Sequence, residues 1–321
     1  GAGATPVPIP SGPIETPTES APEKQTVSET ELRGDAVIEL GANVTVVELP
    51  GNASEIVSGS SVVLKNDRIS VEIPVNVLSQ AGEGQPVLVT VQPADADEAA
   101  SILNAAANEA NANVTFQSDV YTVRLTQSDG TAIRLSKEAG LNVSFPIESS
   151  DPNKTNVFKV NEDGSLRFVK SKAENGRIVA SVTEEGRYVV AEVDKTFADV
   201  AAGHWASDAI SNLTAKFIAT GVSETEFAPD REVTRAEFTA LLARALHLSA
   251  GTAPGDRAFS DVDENAWYAS FVAAAFENGI VQGNGADRFN PNETIRRQEL
   301  AALLIRAYEF SDGQGSDGAA E

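Results

Sequence analysis

The chain has 321 residues, of which 41% are apolar and only 6% aromatic, and its formal net charge is −23 at pH 7. That length suggests two or three domains, and the charge excludes partners held by a general basic field, nucleic acid above all. Cys is absent, which rules out disulfides and thiolate metal sites, and no run of about 18 apolar residues offers a membrane span.

The chain opens GAGATPVP and contains no Met, so it reads as a processed product or a piece of a longer protein. Residues 1–33 hold six of the 15 Pro among Thr, Ser, Glu and Gly. Such a segment cannot bury enough apolar surface to offset its ordering entropy, which predicts a flexible tether. At its edge Arg33-Gly34-Asp35 resembles an integrin-binding tripeptide, but a three-letter match has little specificity and is read as chance.

From residue 36 to 194 the texture is β. VIEL, NVTVVEL, SVVL, RISVEIPV, PVLVTVQP, VYTVRL, LNVSFPI, NVFKV, LRFVK, RIVASV and RYVVAEV are short runs rich in Val, Ile, Phe and Tyr. Turn signals at Asp163-Gly164, Asn175-Gly176 and Glu185-Gly186 predict an antiparallel meander at the end of an antiparallel β-sandwich. One stretch interrupts it, ADADEAASILNAAANEANAN at 94–113. Its Ala-rich body favours helix, and Asp95, Asp97 and Glu98 either complement the helix dipole or form a metal site. The expected element is a crossover helix covering one end of a sandwich that melts separately from the C-terminal third of the chain.

After residue 195 the chain says the same thing twice. FADVAAGHWASDAI at 197–210 returns 62 positions later as FSDVDENAWYASFV at 259–272, and the two Trp of the protein, Trp205 and Trp267, fall in register. The match runs without a gap from Phe197–Leu248 to Phe259–Phe310: Asp199 on Asp261, Gly221 on Gly283, Glu237 on Glu299, Arg244 on Arg306. Each copy reads helix, loop, helix. In the second helix Phe238, Leu241, Leu242, Ala245 and Leu246 form an expected core stripe. Thr234 and Glu237 have the spacing of a capping box. In the second copy Arg296 stands at the cap position, so the box is expected to be missing there.

FADV…HWA, the loop FAPD and then VTRAEFTALLARAL resemble an S-layer homology repeat, with TRAE at 234–237. The second copy is similar at FSDV, AW, GIVQGNGADRFNP and ELAALLIRA, but IRRQE stands where the motif has VTRAE. The likeness covers 197–310, with repeats set at 195–250 and 257–310 and a linker at 311–321. It implies helical repeats in an incomplete pseudo-threefold arrangement, with a third repeat supplied by the parent protein or by other chains of an extracellular assembly. It also implies non-covalent anchoring to a secondary cell-wall polysaccharide, a pyruvylated glycan, on a secreted protein of the wall or surface layer. The implied polysaccharide-binding residues are Arg235, Arg297, Arg296, Trp205, Trp267, Asp199, Asp261 and Gly283, with Thr234 and Glu237 as the structural cap.

The chemistry supports Arg235 in that role. A helix N-terminus offers free N–H groups and a positive dipole end, and Arg adds a planar fork for a carboxylate. Other readings stand beside the functional ones. Trp205 and Trp267 are expected chiefly in the core, with an indole edge for sugar; Asp199 and Asp261 ligate or cap a turn; Arg244 and Arg306 are structural ion-pair partners.

No HExxH, GxSxG, GxxxxGK or dinucleotide Gly fingerprint occurs. Asp261-Val262-Asp263-Glu264-Asn265 begins like a calcium loop, but Ala266 replaces the Gly. Carboxylate pairs for glycoside hydrolysis are too numerous to place. The expectation is a protein with no catalytic role, metal or cofactor, whose β-region is a spacer or scaffold. The alternative is a structural subunit of a self-assembling surface layer or a larger extracellular complex.

Overall fold

The computed structural model of the chain describes residues 23–33, 36–147, 151, 153–248, 259–283 and 287–313. The first 22 residues of the expected tether, Gly34 and Asp35 of the tripeptide, and most of the 311–321 linker lie outside the described residues.

The described chain begins with β1 (Glu23–Thr26), α1 (Glu29–Arg33), β2 (Val37–Glu39), β3 (Val44–Leu49), α2 (Ala53–Ile56), β4 (Ser61–Lys65) and β5 (Ser70–Pro74). Next come α3 (Val75–Leu78), β6 (Val87–Pro93), α4 (Ala96–Ala110), β7 (Asn113–Phe116), β8 (Tyr121–Gln127) and β9 (Leu141–Pro146). The β-region ends with β10 (Thr155–Val160), β11 (Leu166–Val169), β12 (Ser171–Glu174), β13 (Arg177–Val182) and β14 (Gly186–Asp194). Four helices complete it: α5 (Ser207–Ala215), α6 (Arg235–Ala245), α7 (Ala269–Glu277) and α8 (Arg297–Gly313). No helix among the described residues is long and apolar enough to cross a membrane.

Two sheets form the β-region, ordered β1-β3-β6-β8-β14-β10-β11, with β7 also on β14, and β12-β13-β9-β5-β4-β2. Their facing side chains, among them Val47, Val89, Leu125 and Val190 against Leu64, Val71, Val143 and Phe145, make one buried core. The sandwich is therefore present, with two departures from an antiparallel plan: β1 pairs β3 and β2 pairs β4 in parallel.

The tether ends sooner than its composition suggests. Residues 23–33 join the domain: β1 takes an edge place, and Leu32 of α1 is fully buried. EKQT lacks strand patterning, so its place is set by backbone pairing to β3 rather than by its own side chains.

The closing meander is also corrected. Asp163-Gly164 and Asn175-Gly176 do make hairpins, β10–β11 and β12–β13, the second with positive φ at both residues as a tight primed turn requires. Between β11 and β12 and again at Glu185-Gly186, however, the chain changes sheets. The strand β14 goes to the middle of the larger sheet because it is apolar on both faces, with Tyr188 and Val190 in the sandwich core and Val189, Ala191 and Val193 on the other side.

That second face is where α4 lies. Asp95 caps it by accepting from the Glu98 amide at 2.7 Å, so the acid cluster is used locally; no group of three metal-ligating side chains occurs among the described residues. Ile102 and Ala106 of α4 pack on Phe158 and Val189. The helix thus covers the outer face of a sheet rather than one end of the sandwich. Ala215 and Phe217, at the end of α5 and just past it, join the same cluster, and the Phe217 ring lies 5.3 Å from Phe158. This shared core joins the β-domain to the first repeat.

In α6 the buried face is Ala236, Thr239, Ala240 and Ala243, while Phe238, Leu241 and Leu242 are only half-buried and Ala245 is exposed. The i, i+3, i+4, i+7 spacing holds, but the stripe is turned by a residue or two. Small side chains let α6 and α7 approach closely. Ala236 then shares a core with Phe259, Val272, Ile280, Phe289 and Leu303 of the second copy.

Candidate functional site

The two copies brace their loops identically. Asp199 accepts from the amides of Phe227 and Ala228 at 2.9 and 2.6 Å, and Asp261 from those of Phe289 and Asn290 at 2.7 and 2.8 Å. Those amides hold the Asp199 carboxyl below the usual carboxylate range; at Asp261 burial opposes the charge and the amides, with Arg288 nearby, outweigh it. Phe197 lies 5.3 Å from Phe227, and Phe259 the same distance from Phe289. Gly221 and Gly283 sit where a Cβ would run into the Phe197 and Phe259 rings. Asp199, Asp261 and Gly283 thus take part in shaping the loop.

Arg235 is placed differently from the expectation of an open anion site. The capping box is formed: the Glu237 amide donates to Thr234 Oγ1, and the Thr234 amide to Glu237. The two remaining free amides of the α6 N-terminus, those of Arg235 and Ala236, donate to the carbonyls of Glu293 and Pro291 in the second copy at 2.9 and 3.0 Å. No backbone amide at that helix end is left for an anion. The Arg235 fork donates to Glu299 at 3.1 Å and to the Gln282 carbonyl at 2.8 Å, and its plane lies 4.8 Å from the Phe289 ring. With only 12% of its side chain exposed, Arg235 joins the two copies.

The equivalent end of α8 is open. Arg296 cannot cap with its side chain, yet its amide donates to Glu299 at 2.9 Å, so half of the box survives. Arg297 and Arg296 are exposed, and among the described residues the first amides of α8 have no partner. Leu304, Ile305 and Tyr308 stand exposed along the same helix.

The expectation of Trp in the core is overturned: Trp205 is 90% and Trp267 57% exposed. The two differ in what they face. Trp267 closes one side of a cleft of ≈ 560 Å³ whose other walls come from the first copy: Leu213, Thr220, Phe227, Pro229, Arg231 and Val233. Trp205 is not among the walls of this cleft. Arg231 pairs with Glu237 across the cleft floor at 2.6 Å, and burial of Glu237 is outweighed by Arg231 and the Thr234 amide, which hold its carboxyl below the usual range. Arg244 stacks 4.6 Å over Phe271, and Arg306 donates to the Ile280 carbonyl and the Gln282 side chain. Neither forms an ion pair among the described residues, contrary to the expectation of structural ion-pair partners.

Sequence reasoning passes over Arg231, Val233 and Thr220, which lack any signal except that their positions fall in the loop between the two helices of a repeat. Subtracting 62 reveals more. The Arg235 socket in the second copy is Gln282, Phe289 and Glu299; its equivalents Thr220, Phe227 and Glu237 all line the open cleft of the first copy.

The S-layer homology domain model matches residues 196–239 and 258–301. Over 258 residues, 79% of the chain, the protein is 32% identical to an amylopullulanase of Thermoanaerobacterium thermosulfurigenes, and it spans 13% of that enzyme. It is 39% identical to the exoglucanase XynX of Acetivibrio thermocellus over 36% of the chain and 10% of that protein. To the S-layer protein sap of Bacillus anthracis it is 38% identical over 38% of the chain and 14% of that protein. The chain thus spans about a tenth to a seventh of the length of these relatives.

Proposed function

The chain carries two S-layer homology domains and is a secreted protein of the cell wall or surface, and from that premise we propose that the cleft between them holds a secondary cell-wall polysaccharide. The observation that carries this reading is Trp267, a large ring left 57% exposed against a cleft from the neighbouring repeat. A sugar ring stacked on that indole would be bordered by Arg231, able to meet a carboxylate such as that of a pyruvyl ketal. Arg235 contributes by holding the second repeat, and with it Trp267, against the first. The β-domain acts as a spacer or scaffold with no catalytic role.

A second reading rests on α8. Its unpartnered first amides, Arg297 and the Leu304, Ile305 and Tyr308 face repeat, one copy further on, the side that α6 buries. A third repeat, from the parent protein or another chain, would complete that end and place a second cleft beside it.

Calorimetric titration with pyruvylated wall fragments at fixed salt tests the anchoring reading. Trp267→Ala should weaken binding about tenfold, as loss of a central aromatic contact does, while Trp205→Ala leaves it unchanged. Equal affinities for Trp267→Ala and wild type would remove the cleft from the proposal.

A further inference from the structure

A second cleft, of ≈ 570 Å³, lies between the β-domain and the repeats, lined by β10 and β11, the end of α4, Lys216 and Phe217, the last turn of α6 and Phe271 of α7. In a chain of net charge −23 its lining is cationic: Lys159, Arg167, Lys216 and Arg244 against Glu109 and Glu184. Glu184 is taken by Lys159 and Arg167. Burial opposes its charge, and the two cations overcome that and hold its carboxyl below the ordinary range. Glu109 is pushed the other way, by burial and by Asp163.

Lys216 and Arg244 remain. Among the described residues neither has a carboxylate partner; Lys216 donates to Asn212 at 2.8 Å and sits 5.2 Å from the Phe168 ring, and Arg244 lies over Phe271. Burial lowers the pKa of both. Half-buried cations bear a desolvation cost that an anion in the same cleft would offset. The volume exceeds what a lone ion needs and falls in the range of small-ligand sites. Phe217 and Phe271 add apolar walls.

We propose that this cleft binds an oxyanion borne on a sugar, a carboxylate or a phosphate, held by Lys216 and Arg244 with the sugar against the apolar walls that Phe217 and Phe271 provide. The choice of a sugar as carrier rests on the wall-glycan reading; the anion site does not.

The test is titration of the whole chain at low salt with glucose 1-phosphate, glucuronate, inorganic phosphate and glucose. The charged sugars should bind, glucose should not, and Lys216→Gln and Arg244→Gln should each weaken binding at least tenfold while Trp267→Ala leaves it intact. Glucuronate alone or glucose 1-phosphate alone binding supports the site and names its anion. Inorganic phosphate binding as tightly as the charged sugars would overturn the sugar carrier. Unchanged binding in Lys216→Gln, or loss in Trp267→Ala, would overturn the site whether or not wall polymer binds elsewhere. Melting curves accompany each variant, and Lys216→Gln, whose ammonium makes a single hydrogen bond, carries the test should Arg244→Gln unfold.

Discussion

Arg235 reaches 64 positions along the chain to donate to Glu299 at 3.1 Å, and Glu299 in turn accepts the amide of Arg296 at the start of α8. One carboxylate therefore serves both as the helix-start acceptor of its own repeat and as the anchor of the preceding one.

Arg235→Ala should destabilise the repeats by about 1.5–3 kcal/mol, the cost of losing charged hydrogen bonds. Arg235→Lys should recover less than half of that, because an ammonium cannot bridge Glu299 and the Gln282 carbonyl as the fork does. Denaturant midpoints for both, combined with Glu299→Gln in a double-mutant cycle, measure the coupling. Strictly additive effects would mean the pair contributes nothing.

Gly221→Ala and Gly283→Ala should both be destabilising, the first more so. A Cβ at 221 would meet the Glu226 and Ser223 carbonyls and the Phe197 ring, all at 2.5 Å, whereas at 283 the nearest atoms are a Phe259 ring carbon at 2.8 Å and the Arg288 carbonyl at 3.1 Å. Overpacking of this kind costs about 1–3 kcal/mol. Thermal melting checks the order; a more damaging Gly283→Ala would show that the ring at 259 yields less than backbone at 221.

Arg296→Thr should stabilise the second repeat by about 0.5–2 kcal/mol, the usual worth of a side-chain N-cap. The reciprocal contact, from the 296 amide to Glu299, already exists. An unchanged or lower melting temperature would show that Arg296 makes a contact worth more than the cap.

Asp261 gives a pH dependence with a fixed sign. Its folded pKa is depressed, so its contribution is present above the unfolded value of about 3.9 and is lost as pH falls through the folded one. Asp261→Asn should cost about 1.5–3 kcal/mol at pH 7, and the gap to wild type should narrow below about pH 4. Glu237, depressed likewise, adds to the same acid limb. Parallel melting curves from pH 7 to 3 would contradict this account of Asp261.

Local or repeated features were the ones legible in the sequence. Asp95 as a helix start, the Thr234–Glu237 box and the paired Phe, Asp and Gly positions all come from short spacings or from the 62-residue register. The features that were not legible depend on a distant neighbour. EKQT has no strand pattern until β3 offers it an edge, and β14 enters a sheet centre because both of its faces find partners. A Trp in a sparse aromatic complement reads as core, yet its burial depends on whether another repeat lies against it. Arg235 reads as a free fork because its acceptors lie in the other copy.

The Arg235 contact has a direction: the first copy reaches into the second and, among the described residues, receives no arginine in return. Head-to-tail contacts of one handed kind either close on themselves or run on as an open array, depending on the rotation between neighbours. An open array always has one joint fewer than it has units, whereas a closed ring has as many joints as units. Adding one repeat to this pair would therefore raise the joints from one to three if the ring closed. Each joint of the type seen here carries one exposed indole against one cleft, so valency for a repeating polymer would rise threefold for half as much chain again.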